Sequence, residues 1–504
     1  MNPFYPDMLA SLGIKITRLV SDSRRIKPGD TFVAYPGASA DGRKFIGQAI
    51  ADGANAVIWE AKNYEWNESW QVPNLAIEDL RMQSGQLADH VYESPSQKMW
   101  MVGVTGTNGK TTCSHWIARS MNELGRKSAV LGTLGNGMPG ALRPTANTTP
   151  EAINVHGLLA EYVEQGVKSV SMEVSSHALD QGRVNAVHFD VALLTNLSRD
   201  HLDYHGDMQT YASAKRKLFN WPFLKHAVLN LDDAFGAELA EALRDKSVEV
   251  TGYGLNEESL QLAERLGIRM VFGGHLDMNA QAMNLHINSS WGSAELHSRL
   301  IGRFNASNLL GVLAVLLVSG IELSAAVKEL EQQKAVAGRM QTLGGKDKPT
   351  VVVDYAHTPD ALEKVLQALI EVTKPVGGNV ICVFGCGGDR DRGKRPMMGT
   401  IATKLADESI ITTDNPRSES PKAIIDAILF GVAGRYQVIE DRAHAITRAI
   451  SMASAVDTVL IAGKGHEDYQ EINGVKQPFS DSEVVRRALC VWTPVTNHPE
   501  WVTT

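Results

Sequence analysis

The 504-residue chain carries 49 lysines and arginines against 57 aspartates and glutamates, for a formal net charge of −8, with 43% apolar and 21% charged residues. At roughly 100 to 200 residues per domain that length predicts about three domains, and the ordinary composition excludes wholesale disorder and a fibrous repeat. The acidic balance excludes the global basic footprint that nonspecific nucleic-acid binding requires. The longest apolar run, Leu309 to Val318, falls well short of the ~18–20 residues of a bilayer-spanning helix, so no membrane span is expected. The amino terminus has no basic stretch ahead of a compact apolar one and does not read as a signal peptide, so a cytoplasmic location is expected. Cys113, Cys382, Cys386 and Cys490 lack the matched pairs of a zinc site or disulfide framework and read as reduced structural thiols.

Up to about Gln97, short strand-like runs (Thr31 to Ala34, Ala56 to Trp59) alternate with turn signals such as Lys27-Pro28-Gly29-Asp30, which predicts a small α/β domain. From Met99 an apolar run, a glycine-rich turn and a helical pattern from Lys110 to Leu124 open a nucleotide-binding α/β domain. Thr149-Pro150-Glu151 reads as an N-cap, first-turn proline and first-turn acid for a helix running to Gly166, and a strand follows from Ser169 to Val174. Alternation between Ala282 and Leu300 predicts an antiparallel excursion before a helix at Asn308 to Gly320. After Lys334 the runs Thr350 to Asp354, Asn379 to Phe384, Glu408 to Thr412, Tyr436 to Ile439 and Thr458 to Ala462 predict a second sheet, parallel by the length of its crossovers. Pro494 to Thr504 reads as a loose tail.

The strongest chemical signal is Gly103 to Thr112. Its glycines let backbone N–H groups close around phosphate oxygens, the helix N-terminus adds partial positive charge, Lys110 reaches outer phosphates and Thr111 offers a hydroxyl to Mg²⁺. Val104 stands where the usual phosphate loop begins with glycine. Glu173, near the end of its strand, could deliver a metal-binding carboxylate beside that loop, as acids do in other phosphate-loop enzymes. Asp200, His201 and Asp203 crowd the segment after the strand Val191 to Thr195, where an α/β site is expected. His177 and His205 read equally well as satisfied loop histidines.

In order, GTNGKT at Gly106 to Thr111, MEVSSH at Met172 to His177, NLSRDHLDYHG at Asn196 to Gly206, GRFNASN at Gly302 to Asn308, AGRM at Ala337 to Met340 and DYAHTPD at Asp354 to Asp360 resemble the ATP-dependent Mur ligases of bacterial peptidoglycan synthesis. SDSR at Ser21 to Arg24 and ADGRKF at Ala40 to Phe45 are similar to the UDP-binding segment of the members that add the third peptide residue. The resemblance implies an α/β protein of three domains: a small UDP-sugar-binding domain over 1–97, a central P-loop ATP-binding domain with a mainly parallel sheet over 98–334, and a Rossmann-like amino-acid-binding domain over 335–492, with 493–504 as tail. It implies ATP contacts at Gly106, Thr107, Asn108, Gly109, Lys110, Thr111, Thr112, Asn305, Arg339 and Asp354. Contacts to UDP-N-acetylmuramoyl-L-alanyl-D-glutamate are implied at Ser21 (where the family has leucine), Ser23, Ala38, Ser39, Ala40, Thr148, Thr149, Ser175, Gln181 and Arg183. Lys110, Glu173, His201 and a carbamylated Lys215 are implied to be catalytic, and Thr111, Glu173, His201 and Lys215 to hold Mg²⁺.

Asp414-Asn415-Pro416-Arg417 matches the members that take meso-2,6-diaminopimelate, with Arg390, Gly463 and Glu467 completing the implied amino-acid pocket. Diaminopimelate carries a second carboxylate that lysine lacks, and an arginine fork can grip it through two parallel hydrogen bonds. The implied activity is ATP-driven amide formation between these substrates through an acyl phosphate, by a monomer with no nucleic-acid partner. A lysine-adding or folate-polyglutamylating ligase of the same fold, and a nucleotide-gated binding protein without catalysis, remain the alternatives. The arginine of Asp414 to Arg417 disfavours lysine, the uridine-like amino-terminal segment disfavours folate, and Lys110, Glu173, His201 and Lys215 together disfavour loss of catalysis.

Overall fold

The computed structural model describes residues 4–37, 40–278 and 282–494. The expected contacts at Ala38 and Ser39, and the expected tail beyond residue 494, lie outside the described residues.

Three main sheets follow one another along the chain. The first is a four-stranded parallel sheet of Leu19–Val20, Thr31–Ala34, Ala56–Glu60 and Asn74–Ile77. Its middle strands are buried on both faces, which suits their apolar runs.

The second sheet has eleven strands, with Trp100–Thr105 near its middle between Val191–Leu194 and Ser169–Glu173. Its inner strands run parallel, from Arg269–Met278 across to Ser128–Gly132, and an antiparallel hairpin extends each edge. The hairpin Met283–Ser289 with Gly292–Ser298 is the excursion expected between Ala282 and Leu300. The other, Gly135–Met138 with Ala141–Arg143, was not foreseen, because a few glycine-rich residues around Pro139-Gly140 carry no alternation.

The helix expected at Asn308 begins earlier, as Arg303–Val318, with Gly302 at φ 93 as its N-cap. It is buried nearly all round in the core beneath the sheet, so its first turn, where polar side chains interrupt the apolar face, gives no periodic signal. Thr149 is a correction of a different kind. The helix Ala152–Glu164 starts three residues later with Glu151 as N-cap, because the Thr149 hydroxyl is committed elsewhere, donating to the Glu173 carbonyl at 2.8 Å.

The third sheet runs Gln341–Gly344, Thr350–Asp354, Thr458–Ala462, Val380–Phe384, Glu408–Ile411, Tyr436–Val438, parallel except for the antiparallel first pair. Apolar clusters cover both of its faces, and Ile301 and Phe304 of the central unit pack against one of them. Cys113, Cys382 and Cys386 are buried free thiols, and Cys490 is an exposed one. Among the described residues no helix is long and apolar enough to cross a membrane.

Candidate active site

In a parallel α/β sheet the loops at the carboxyl ends of the strands face one opening. The strands Trp100–Thr105, Ser169–Glu173 and Val191–Leu194 lie side by side in the sheet, so their following loops converge. The phosphate loop occupies the centre. Gly106 has φ 149 and a Cβ there would stand 1.9 Å from Thr195 Oγ1; Gly109 has φ 86 and a Cβ would stand 2.7 Å from Asn308 Oδ1. Both positions therefore require glycine.

The carbonyl of Gly106 accepts from two ammonium groups, Lys110 Nζ and Lys215 Nζ, each at 2.8 Å. Lys110 also donates to the Thr107 carbonyl at 2.9 Å. Burial pushes the Lys110 ammonium down from its ordinary range, against the opposing charges of Glu173 and Asp200. Lys215, wholly enclosed on the helix Met208–Phe219, is pushed well below by burial first and then by the charge of Lys110. Its Nζ also lies 4.6 Å above the Tyr211 ring.

Glu173 is fully buried. Its carboxylate accepts from Thr111 Oγ1 at 3.0 Å, from the Thr133 amide at 2.8 Å and from Thr133 Oγ1 at 3.1 Å. Thr133, unnoticed in the sequence, also links Glu173 to Thr148, whose Oγ1 is 3.0 Å away. These hydroxyl and carboxylate oxygens are the hard donors that Mg²⁺ prefers. No cluster of three or more His, Cys, Asp or Glu side chains able to hold a metal exists among the described residues. A site of one or two protein oxygens completed by substrate phosphates fits that arrangement, and an all-protein cage does not.

Asp200 is the charged hub of the next loop. Its Oδ2 lies 3.4 Å from His201 Nε2 and 3.7 Å from His357 Nε2, the latter from the third sheet. Burial alone would raise this carboxyl, but the facing His357 ring, 3.7 Å away, and the Lys394 charge help to hold it far below the usual carboxylate range. Burial pushes His201 down to about 3 and His177 down to about 4, so both rings are neutral near pH 7. The two rings meet edge to face, with centroids 4.9 Å apart. His205 is a satisfied buried histidine, bonded to Ser176 Oγ at 2.9 Å.

Thr149, Ser175, Gln181 and Arg183 line one side of this centre. Thr149 Oγ1 lies 3.2 Å from Ser175 Oγ, and Arg183 donates to the Thr149 carbonyl at 3.1 Å and to Gln181 Oε1 at 3.0 and 2.6 Å. Ser21 lies near the buried Tyr35 hydroxyl and partly offsets the rise that burial gives it. Ser23 opens the short turn Ser23–Arg25, and Ala40 immediately precedes the turn Gly42–Phe45 that Asp41 caps. The structure records no direct contact from Ser23 or Ala40 to Thr149 or Arg183.

On the far side, a cavity of about 390 Å³ is lined by Asn108, Gly109, Thr112, Asn305, Arg339 and Asp354, which brings together residues spread over more than 240 positions of sequence. Arg339 spans it, donating to Thr111 Oγ1 at 3.2 Å while lying 4.3 Å above the Tyr355 ring. Asp354 is buried, its carboxyl raised by burial, and accepts from the Met340 amide at 2.7 Å. Asn108 reaches Asp360 at 3.1 Å, and Arg199 pairs with Asp391 at 3.2 Å.

The remaining residues gather at the carboxyl ends of the third sheet. Arg417 has φ 51, donates from Nη1 to the Gly388 carbonyl at 2.7 Å and pairs with Glu471 at 3.4 Å. Arg390 is exposed and lies beside it across Gly387, where a Cβ would stand 2.9 Å from Arg417 Nη1 and 3.8 Å from Arg390 Cγ. Pro416 closes on Gly388, whose added Cβ would stand 1.9 Å from the Pro416 carbonyl oxygen. Asn415 donates to Glu467 Oε2 at 2.8 Å, and Gly463, at φ 117, leaves room for Asp414 Oδ2. Burial would raise Asp414, but Lys464 and Arg442 hold it ionised below its usual value.

Three family descriptions match in succession: Mur ligase family, catalytic domain, over residues 15–92; Mur ligase middle domain over 104–316; and Mur ligase, glutamate ligase domain, over 338–465. A UDP-N-acetylmuramoyl-L-alanyl-D-glutamate–2,6-diaminopimelate ligase from Chromobacterium violaceum is 50% identical over 492 residues, covering 97% of each chain. The enzyme of the same name from Nitrosomonas europaea is 50% identical over 493 residues, covering 96% of this chain and 94% of its own. A solved structure of a ligase with that name is 37% identical, with a TM-score of 0.65, covering 94% of this chain and 95% of its own.

Proposed function

Because the chain belongs to the Mur ligase family, we infer that it is the ATP-dependent amide ligase that joins meso-2,6-diaminopimelate to UDP-N-acetylmuramoyl-L-alanyl-D-glutamate in peptidoglycan precursor synthesis, a cytoplasmic task. The observation that carries the assignment of roles is the Arg339 bridge. One guanidinium ties the phosphate-loop threonine to the third sheet, whose neighbouring loops hold Arg417 and Glu467, so nucleotide and amino acid would meet across a single seam.

Residues 1–97 take the UDP end, 98–334 the ATP and acyl-transfer centre, and 335–492 the amino-acid end. Asn305, Arg339 and Asp354 hold the nucleoside side of ATP, and the loop from Gly106 to Thr112 wraps its phosphates. A carboxylate is a poor electrophile, so the D-glutamate side-chain carboxylate first takes the γ-phosphoryl group from ATP. The diaminopimelate amine then attacks the acyl phosphate, the C–N bond forms, and phosphate leaves with the C–O bond. Lys110 and neutral His201 steady the negative charge on the moving phosphoryl group by position and electrostatics, with no covalent protein intermediate. Thr111 and Glu173 would hold Mg²⁺, with His201 as a further candidate ligand, and the bound ion would supply charge neutralisation on the phosphates.

Lys215 is suited to carbamylation. Burial pushes the Lys215 ammonium down and so favours the free amine that must attack CO₂, and the product carbamate would place there an anion able to join the metal site. Thr148, Thr149, Ser175, Gln181 and Arg183 take the muramoyl dipeptide, with Ser21, Ser23 and the segment at residues 38–40 toward the uridine. Arg390 and Arg417 grip the distal carboxylate of diaminopimelate, and Glu467 its ammonium.

A phosphate-release assay with each amino acid tests the reading. Diaminopimelate should turn over and lysine should not, and Arg417→Ala should raise the Michaelis constant for diaminopimelate by about 30-fold or more, the worth of a two-point arginine–carboxylate contact, with that for ATP unchanged. Faster turnover of lysine by the unaltered enzyme would refute the assignment.

A further inference from the structure

Lys464 has no part in the roles above, yet it is wholly buried in the amino-acid pocket, on the turn after the strand Thr458–Ala462. Its Nζ donates to Asn415 Oδ1 at 3.0 Å and to Glu467 Oε2 at 2.9 Å. Asn415 Oδ1 also accepts from the Glu471 amide at 2.9 Å, so the Asn415 side chain can turn only its NH₂ toward Glu467, meeting Oε2 at 2.8 Å. Both donors therefore converge on the same carboxylate oxygen. Among the described residues no donor reaches Glu467 Oε1, and the side chain keeps 15% exposure on the open side.

Asp414, Asp481, Lys464 and Arg442 are buried around this point, Glu467 is half-buried, and Arg442 is spent on Asp481 through contacts at 2.8 Å from both Nε and Nη2. His466 beside them is neutral, pushed by burial down to about 4. Glu467 Oε1 is the acceptor left open to receive a partner. An incoming ammonium can donate to that oxygen, and a group without a donor cannot.

We propose that Lys464 is a positioning residue that sets ammonium recognition: by fixing Asn415 and occupying Glu467 Oε2, it leaves Oε1 as the one acceptor, so that the pocket demands an ammonium as well as the carboxylate met by Arg417. The proposal rests on the amino-acid pocket assigned above. The test uses the full-length enzyme and two probes, meso-diaminopimelate as substrate and pimelate, a dicarboxylate with no ammonium, as competitor. Lys464→Met should raise the Michaelis constant for diaminopimelate about tenfold or more, the worth of one charge-assisted hydrogen bond. The constant for ATP should hold, and the inhibition constant of pimelate should change less than about threefold, so that the preference for the ammonium-bearing ligand collapses. Arg417→Ala should instead weaken both dicarboxylates together. Lys464→Gln, which keeps a donor without the charge, should give a smaller collapse and carries the test if the methionine variant does not fold. Equal losses for diaminopimelate and ATP, or an unchanged preference between the two dicarboxylates, would overturn the proposal. Failure of the underlying pocket assignment would show separately, as an unaltered enzyme that binds neither dicarboxylate in preference to lysine.

Discussion

Gly106→Ala is expected to destabilise the central unit and abolish turnover. The added methyl would stand 1.9 Å from Thr195 Oγ1, with the Asn196 carbonyl oxygen at 3.0 Å, and the backbone φ of 149 is one that L-residues rarely adopt. The conformational cost is ~1–3 kcal/mol. Overpacking adds ~1–3 kcal/mol. Midpoints sum to about 4 kcal/mol, which for a unit of this size lowers the melting midpoint by roughly 8–16 °C. Thr195 cannot simply turn away, since its hydroxyl donates to the Asn108 carbonyl at 2.6 Å inside the phosphate loop. Shifting Gly106 would also withdraw the carbonyl that Lys110 and Lys215 share. Thermal melting and phosphate release on the purified variant measure both effects. Adding Thr195→Ala should relieve the contact with Oγ1 while giving up its bond to Asn108, and so recover only part of the lost stability. A Gly106→Ala protein that melts within about 2 °C of the parent and keeps its Michaelis constant for ATP would refute the reasoning.

Two further outcomes are expected. The pair Arg199–Asp391 joins the loop of Asp200 and His201 to the loop of Arg390, with Arg199 about two-fifths exposed; each single reversal, Arg199→Asp or Asp391→Arg, should slow turnover several-fold, and the double swap should restore most of it, with a coupling of about 0.5–1 kcal/mol. Additive losses would remove the pair from any role in joining the loops. Stability should fall on acidification: burial pushes His115, His177 and His466 to about 4 and His201 to about 3, from 6.5 in the unfolded chain. The unfolded state then binds more protons as pH drops below 6.5, so stability is full above that value and declines toward pH 4, by roughly 1–2 kcal/mol per group once solvent screening is allowed for. Denaturant midpoints that do not move across that window would contradict the burial of these rings.

What could be read from the sequence was whatever is contiguous. Thr350–Asp354 and Thr458–Ala462 emerged at their expected ends because strands covered on both faces are apolar throughout. The phosphate loop was legible because strand, glycines and helix start lie within one short segment. Thr133 was not, since it meets Glu173 only because Ser128–Gly132 and Ser169–Glu173 are neighbours in the sheet, a fact of strand order and not of spacing. His357 stood inside the segment Asp354 to Asp360, but its contact with Asp200 comes from the other side of the seam. Thr149 misled because a threonine before a proline satisfies the local rules for a cap, while a carbonyl from a distant strand takes its hydroxyl instead. Lys464 carried no signal of its own in the sequence, and only its burial between Asn415 and Glu467 gives it a task.

The seam between the central and last sheets combines two kinds of contact with different consequences. Ile301 and Phe304 pack into the apolar cluster of the last sheet close to the chain connection, where they can act as a fixed pivot. Other links across the seam are polar: Asn108 to Asp360, Arg339 to Thr111, Asp200 to His357 and Arg199 to Asp391. Polar pairs can exchange for water at small net cost, whereas apolar packing cannot, so opening should pivot on the apolar end and part the polar one. Several of those polar groups also belong to the proposed site. Arg339 reaches Thr111, and His357 lowers the Asp200 carboxyl, only while the seam is shut. Assembly of the charged centre and exclusion of water from it are then one event. An acyl phosphate formed in the closed state meets the amine held by the last sheet before it meets solvent.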